Sequence, residues 1–290
     1  GASTRGRLNR CNGSNSGKVR FSNWRSSISE DNLPMRQNME LYGQWLRRDL
    51  SLRYAGSVLG PLWLMIQPLL YIAVFTLVFY RFFNMRWPTG DGSAVDYGLK
   101  VFIGLALYTF VADILQRSSV ILVAHPYLVT KVRFPLPLLP GVTVGSAAVQ
   151  LGASLILVLP FSFSRGVGWE LLMLPLLLGP LLMLAMGLGW LLSSLGVYLR
   201  DIGSLMPSLT GFLMFLTPIF YPAEMVPASL RWIVDFSPLA WSVEAARQLM
   251  LQGQVPQWQA WCGHAIAAAV LAALSWSFFK RIQPGFADVL

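Results

Sequence analysis

Six long apolar segments recur along the chain, near Leu62–Phe82, Leu99–Leu115, Leu138–Phe161, Trp169–Leu195, Leu205–Tyr221 and Trp258–Phe279. Each approaches the roughly 20 mostly apolar residues that a membrane-spanning helix needs. Ahead of them the rhythm changes. Across residues 38–57, Met39, Tyr42, Leu46 and Leu50 recur at helical spacing with Trp45 and Tyr54 beside them, while Gln44, Arg47, Arg48 and Ser51 take the other side. This pattern predicts an amphipathic helix lying in the membrane interface and leading through Gly56-Ser57 and Gly60-Pro61 into the first span. Residues 1–37, rich in Ser, Asn, Gly and Arg and without periodicity, predict a disordered cytoplasmic tail. Between the fifth and sixth segments, Pro222 to Gln257 is too apolar for a solvated loop. Pro222, Pro227, Pro238 and Pro256 also break it too often for a span. Two short re-entrant outer helices are expected there, near Ala228–Asp235 and Leu239–Leu251, dipping into the outer leaflet where protein or a water-filled cavity covers the backbone. The predicted fold is an all-α polytopic membrane protein with six transmembrane helices in residues 58–290.

Composition sharpens this picture. With 55% hydrophobic and 12% charged residues and a mean hydropathy of +0.55, the chain lies outside the range of soluble domains. The net charge of +9 follows the positive-inside rule. With both termini cytoplasmic, the N-terminal stretch, Arg117, Lys131, Arg133, Arg200, Lys280 and Arg281 fall inside. Arg81, Arg86, Lys100, Arg165, Arg231 and Arg247 fall at the outer side. The cations are not gathered with stacking aromatics on a soluble face, so no nucleic-acid partner is expected. No apolar core precedes the tail, which argues against a cleaved secretion signal. Cys11 and Cys262 would sit at opposite ends of this topology, beyond disulfide reach. Gly13-Ser14-Asn15-Ser16-Gly17-Lys18 is a poor phosphate loop. Its glycine spacing is one residue short, Val19 replaces the magnesium-holding hydroxyl, and no strand precedes it.

The candidate chemistry is that of gripping and docking. Trp63, Gln67, Tyr71, Phe75 and Phe79 follow at intervals of four in the first span, forming a curling aromatic ridge with one amide. Such faces stack on sugar rings, and Gln67 can hydrogen-bond hydroxyls; ordinary helix packing is the alternative. Phe212 and Phe215, ahead of Phe220-Tyr221, offer a second aromatic surface. The run from His125 to Pro137 brackets aromatics and two cations with prolines, as suits a lever docking into another protein's groove. Tyr198 to Ile202 forms a shorter turn on the same side. Tyr221, Glu224, Asp235, Glu244 and Arg247 suit a polar outer vestibule or gate, with plain surface charge as the alternative. No acid/base pair or metal-ligand set stands at helical spacing, so neither catalytic residues nor a metal is expected. Asp113 is expected to pair with Arg117 one turn later, and His264 to be a helix contact.

Five motifs in order resemble one family. They are Arg53-Tyr54 through Gly60-Pro61-Leu62-Trp63 to Gln67-Pro68; Leu128 through Pro135 to Leu139-Pro140; Tyr198-Leu199-Arg200-Asp201-Ile202; Thr217-Pro218-Ile219-Phe220-Tyr221-Pro222; and Phe286-Ala287-Asp288-Val289-Leu290. From about Asn38 to Leu290 the chain resembles the type-2 ABC permeases that export capsular polysaccharide, O-antigen and teichoic acid. Ser237-Pro238 departs from the Asn-Pro of many relatives and leaves the cap of the second outer helix open. The resemblance implies a bacterial inner-membrane homodimer bound to two copies of a separate ATP-binding subunit, which carries the ATP and Mg; this chain then needs no cofactor. It implies a lipid-linked polysaccharide as cargo, capsule first, handed on to periplasmic and outer-membrane export proteins. Trp45, Tyr127, Lys131, Arg133, Arg200 and Asp201 would contact the ATPase. Arg47, Arg48 and Arg53 would hold an anionic headgroup. Trp63, Gln67, Tyr71, Phe75, Phe212 and Phe215 would line the conduit. An ABC-2 exporter of small lipophilic compounds and a membrane-embedded glycan-modifying enzyme are the alternatives.

Overall fold

The computed structural model describes residues 35–54, 62–130 and 134–290. The expected tail, the phosphate-loop-like run, Gly56 to Pro61, Lys131 and Arg133 lie outside the described residues. Among those described, every regular element is helical. Helix α1, Met35–Tyr54, covers most of the stretch, 38–57, where an amphipathic helix is expected. Helix α2, Trp63–Phe75, continues into a π-helical stretch, Thr76–Phe82. Then follow α3 (Ala94–Ser118), the short α4 (Ile121–Ala124) and α5 (Pro126–Thr130), and α6 (Leu138–Ile156) running on into α7 (Leu159–Ser164). A 3₁₀ turn at Trp169–Met173 and α8 (Leu174–Leu177) lead into α9 (Gly179–Tyr198) and α10 (Asp201–Leu216). The last four are α11 (Arg231–Asp235), α12 (Pro238–Gln252), α13 (Trp258–Ile282) and α14 (Phe286–Val289). Among the described residues four stretches are long and apolar enough to cross a membrane: Ala94–Ser118, Leu138–Ser164, Trp169–Tyr198 and Trp258–Val289. Two apolar helices are shorter, Ile66–Phe82 and Asp201–Leu216.

Helix α3 is the axis of the fold. Of its apolar stretch 89% is buried, against 17% for α13, which lies at the periphery. Packing on all sides explains why α3 has no polar stripe. It starts at Ala94 rather than Leu99 because Ser93 caps it, accepting the Asp96 N–H at 3.1 Å. Asp91 in turn accepts the Ser93 N–H at 2.9 Å, and bonds from Ser93 hold its carboxyl below the usual carboxylate range. Asp96 in the first turn and Arg117 in the last both complement the helix dipole.

Local chemistry sets the other boundaries. Helix α10 stops at Leu216, short of the expected Tyr221, because Pro218 forces Thr217 into an extended conformation (ψ 133°). Helix α12 is capped after all: the Ser237 hydroxyl accepts the Ala240 N–H at 3.3 Å, and Gly253 closes the far end in the left-handed region. Its partner α11 begins at Arg231, later than the expected Ala228. Helices α9 and α13 make the most extensive pairing, brought close by Gly187, where a Cβ would lie 2.9 Å from the Ala272 Cα. A second, smaller apolar cluster gathers Leu122, Leu128, Leu136, Leu139, Val197, Phe279 and Phe286 at the end of the bundle that carries α4, α5 and α14.

Candidate functional site

The aromatic ridge of α2 runs on into the π-helical stretch. In the π-helical stretch the backbone bonds i→i+5, seen where the Phe83 N–H donates to the Val78 carbonyl at 3.1 Å. Ring centroids of Tyr71 and Phe75 stand 6.1 Å apart, those of Phe75 and Phe79 6.2 Å, and those of Phe79 and Phe83 5.6 Å. Gln67 donates to the Tyr71 hydroxyl at 3.4 Å, so the amide belongs to the same row. Trp63 and Tyr71 are each 40% exposed, and Phe75 is half-buried. Phe212 and Phe215, on α10, are 69% and 62% exposed. Tyr108 of α3 donates to the Thr210 carbonyl at 2.9 Å, tying α10 to the axis. A small cavity of about 40 Å³ lies under the row, lined by Gln67, Tyr71, Thr109, Gln150 and Ser154 among apolar neighbours.

Beyond the row, Phe220 joins the ladder. It is 2% exposed, 4.5 Å from Phe75 and stacked at 4.9 Å on Phe79 with only 6° between planes. Arg247 holds it there. This residue, expected in an outer vestibule, is itself 2% exposed: its guanidinium donates to the carbonyls of Lys100 (2.9 Å), Pro218 (2.9 Å) and Ile219 (2.8 Å). It also lies 4.9 Å from the centre of the Trp87 ring and 3.6 Å from Glu244. Gly104 admits it, since a Cβ there would come within 2.7 Å of Nη2. The Thr217–Phe220 link is thereby clamped to α3 and α12. Tyr221 donates to the Phe215 carbonyl at 2.8 Å. Glu224 and Asp235 are exposed, Asp235 within 3.9 Å of Arg231. Met85, Phe215, Tyr221, Met225 and Ile233 border an apolar hollow of about 390 Å³. The aromatic rows and the outer helices therefore share one wall.

At the other end of α3 lies an ion quartet. Asp49 and Arg53 on α1 stand one turn apart, as do Asp113 and Arg117 on α3, and the two pairs exchange partners. Arg53 bonds Asp113 and Arg117 bonds Asp49 across the helices. Within each helix the pairs remain in reach at 3.7 Å and 3.5 Å. Arg53 also reaches Gln150 at 2.6 Å and Arg117 reaches Ser146 at 3.0 Å, both on α6. Tyr42 seals the seam between α1 and α6, donating to the Gly141 carbonyl at 3.3 Å, and burial pushes its phenol up. Arg53 thus faces protein carboxylates, while Arg47 and Arg48 stay exposed, Arg48 lying 5.1 Å from the Trp45 ring centre.

Trp45 turns towards the loop that follows α3. Its ring meets Phe134 edge-on at 5.3 Å and His125 at 6.2 Å, and His125 neighbours Tyr127 at 6.1 Å. Tyr127 is 42% exposed, and Arg200 and Asp201 are exposed at the start of α10. The residues expected at one docking surface are thus drawn together in part, Trp45 with Tyr127 through His125. Sequence reading named Phe220 only at the end of the second aromatic surface, and it expected Asp113 to pair with Arg117 but not the crossing to Asp49 and Arg53. The quartet did leave a signal: the spacing Asp-x-x-x-Arg occurs in both helices, at Asp49/Arg53 and Asp113/Arg117. His264 packs on Trp241 at 4.9 Å. Among the described residues no group of three His, Cys, Asp or Glu side chains converges as metal ligands would.

Residues 40–251 match a family model described as ABC-2 type transporter. An O-antigen export system permease protein RfbA of Klebsiella pneumoniae is 24% identical over 246 residues, covering 84% of this chain and 92% of the relative. A protein of the same name from Myxococcus xanthus is 23% identical over 247 residues, again covering 84% and 92%.

Proposed function

The chain belongs to the ABC-2 type transporter family, and from that premise we propose that it is the permease subunit of a polysaccharide export system. Nucleotide chemistry belongs to a separate ATP-binding partner, which holds the ATP and Mg. The relatives are named for O-antigen export. A lipid-linked glycan of that kind is therefore the first cargo to test, with a capsular one second. Six spans, both termini cytoplasmic, and a homodimer with two ATPase subunits in a bacterial inner membrane complete the reading.

The observation that carries it is the divided face of α2. Leu69, Ala73 and Leu77 turn one aliphatic side to an apolar hollow against α3 and α7, whereas Trp63, Gln67 and Tyr71, with Leu70 and Val74 among them, expose a second side that bears an amide and a hydroxyl. Polar groups facing hydrocarbon are unfavourable, so the second side suits a protein-lined, wetted path. A polar polymer must cross about 30 Å of hydrocarbon. Trp63, Gln67, Tyr71, Phe75, Phe212 and Phe215, facing their counterparts in a second copy, offer stacking platforms that grip weakly at many points. Movement then never requires breaking one strong contact. Helices α11 and α12 form the re-entrant outer gate, with Tyr221, Glu224, Asp235 and Glu244 on its rim and Arg247 as its anchor. Trp45, Tyr127, Lys131, Arg133, Arg200 and Asp201 receive the ATPase. Arg47 and Arg48 remain open to an anionic headgroup, and Arg53 would join them only by leaving its carboxylates.

The test is reconstitution of the chain with its neighbouring ATPase, measuring ATP hydrolysis with and without lipid-linked polysaccharide. Stimulation that vanishes in the W63A/Y71A double variant is the expected result. Stimulation by small lipophilic compounds alone would overturn the reading.

A further inference from the structure

The motif Phe286 to Leu290 is absorbed neither by the conduit nor by the gate, yet it is packed like a core element. Phe286 is 0% exposed although it lies on a one-turn helix at the end of the bundle, beside exposed Ala287, Asp288 and Val289. Its ring meets Phe279 of α13 edge-on at 5.5 Å and Tyr198 of α9 at 6.1 Å. In the same apolar cluster are Leu122 of α4, Leu128 of α5, Leu136 just before α6, and Val197. Helix α14 itself touches α5. The approach is close by construction: at Gly285 a Cβ would stand 2.6 Å from the Tyr198 hydroxyl, which donates to the Ile282 carbonyl at 3.3 Å. A single ring therefore fills the space where two span ends and the loop after α3 converge.

Helix α4 also packs on α9, and Trp45 meets His125, but the loop's own helices are weak. Helices α4 and α5 are four and five residues long, too short to persist alone. They bury only Leu122 and Leu128, and both side chains lie in the cluster that Phe286 completes. On the opposite side of the loop Pro126, Tyr127 and Thr130 stay exposed. The exposed docking face is thus held in shape from beneath by a residue more than 150 positions later in the chain.

We propose that Phe286 is a positioning residue that fixes α4 and α5 in the conformation to which the ATP-binding partner docks. This rests on the reading that the loop is the ATPase contact. Two measurements on the full chain in detergent or nanodiscs test it: hydrogen exchange, and affinity for the purified partner ATPase. In Phe286→Ala, exchange is expected to rise across residues 121–136 while α3 stays protected, and ATPase affinity to fall about tenfold or more. Phe286→Leu, which keeps an apolar body in the space, is expected to recover most of both. Unchanged loop exchange and affinity in Phe286→Ala would overturn the proposal, as would exchange rising equally in α3, which marks general loosening. If loop exchange rises but affinity holds, Phe286 orders the loop without serving docking, and the proposal falls. A wild-type chain that recruits no ATPase defeats the functional reading itself, and with it the docking role.

Discussion

At its N-terminal end α3 buries Asp96 and Lys100 almost completely, their side chains 2% and 3% exposed and 2.8 Å apart. Arg165 joins Asp96 at 2.6 Å, and the Lys100 ammonium also bonds the Thr89 carbonyl. At its C-terminal end Asp113 and Arg117 keep 27% and 25% of their side-chain surface exposed while pairing with α1. One helix thus carries two charge clusters under different dielectric conditions. Removing one member of a fully buried pair leaves an uncompensated charge, whereas a partly wetted pair can fall back on water. The first cluster fixes the loop ahead of α3 to the end of α7; the second joins α1 to the axis and can be rearranged at much lower cost.

The contrast is most easily broken at the buried end. Asp96→Ala should destabilise the chain by about 3–5 kcal/mol, read as a lowered unfolding midpoint in detergent. Adding Lys100→Met should recover part of that loss by removing the stranded charge. Next comes Arg247→Met, which strips three carbonyls of their donor. A loss of about 2–4 kcal/mol is expected, with raised exchange from Thr217 to Phe220. Asp113→Asn probes the wetter end. It should lower stability by only about 1–2 kcal/mol and raise exchange in α1. An effect as large as that of Asp96→Ala would erase the distinction. Smallest in stability, Trp63→Ala and Tyr71→Ala should each stay within about 0.5 kcal/mol of wild type, while the two together abolish glycan-stimulated ATP hydrolysis.

Much of the fold is legible in hydrophobic runs, because a helix that must satisfy its backbone in lipid needs a long uninterrupted apolar stretch. Helices fill most of each such run, and among the described residues four of the stretches are long enough to cross a membrane. What stays hidden depends on neighbours. Asp96 is polar, so sequence starts the second span only at Leu99, beside Lys100, yet α3 begins at Ala94 and buries both because they neutralise each other. Arg247 is a rim charge by its type and a buried clamp by its three carbonyls. The aromatic row is visible as a four-residue interval, but its passage into a π-helical stretch is announced by no residue spacing. The candidate docking surface is legible only in part, since Phe286 reaches α5 from the far end of the chain.

One consequence of the crossed quartet concerns separation rather than binding. Asp49 has Arg53 on its own helix, and Asp113 has Arg117 on its own. If α1 lifts away from α3, each carboxylate keeps a guanidinium one turn away, and neither surface is left with an orphan charge. The seam can part into two electrically complete halves and close again in the same register. A joint of this kind resists sliding, because a shift by one turn would set like charges opposite each other, yet it opposes a straight lift only weakly.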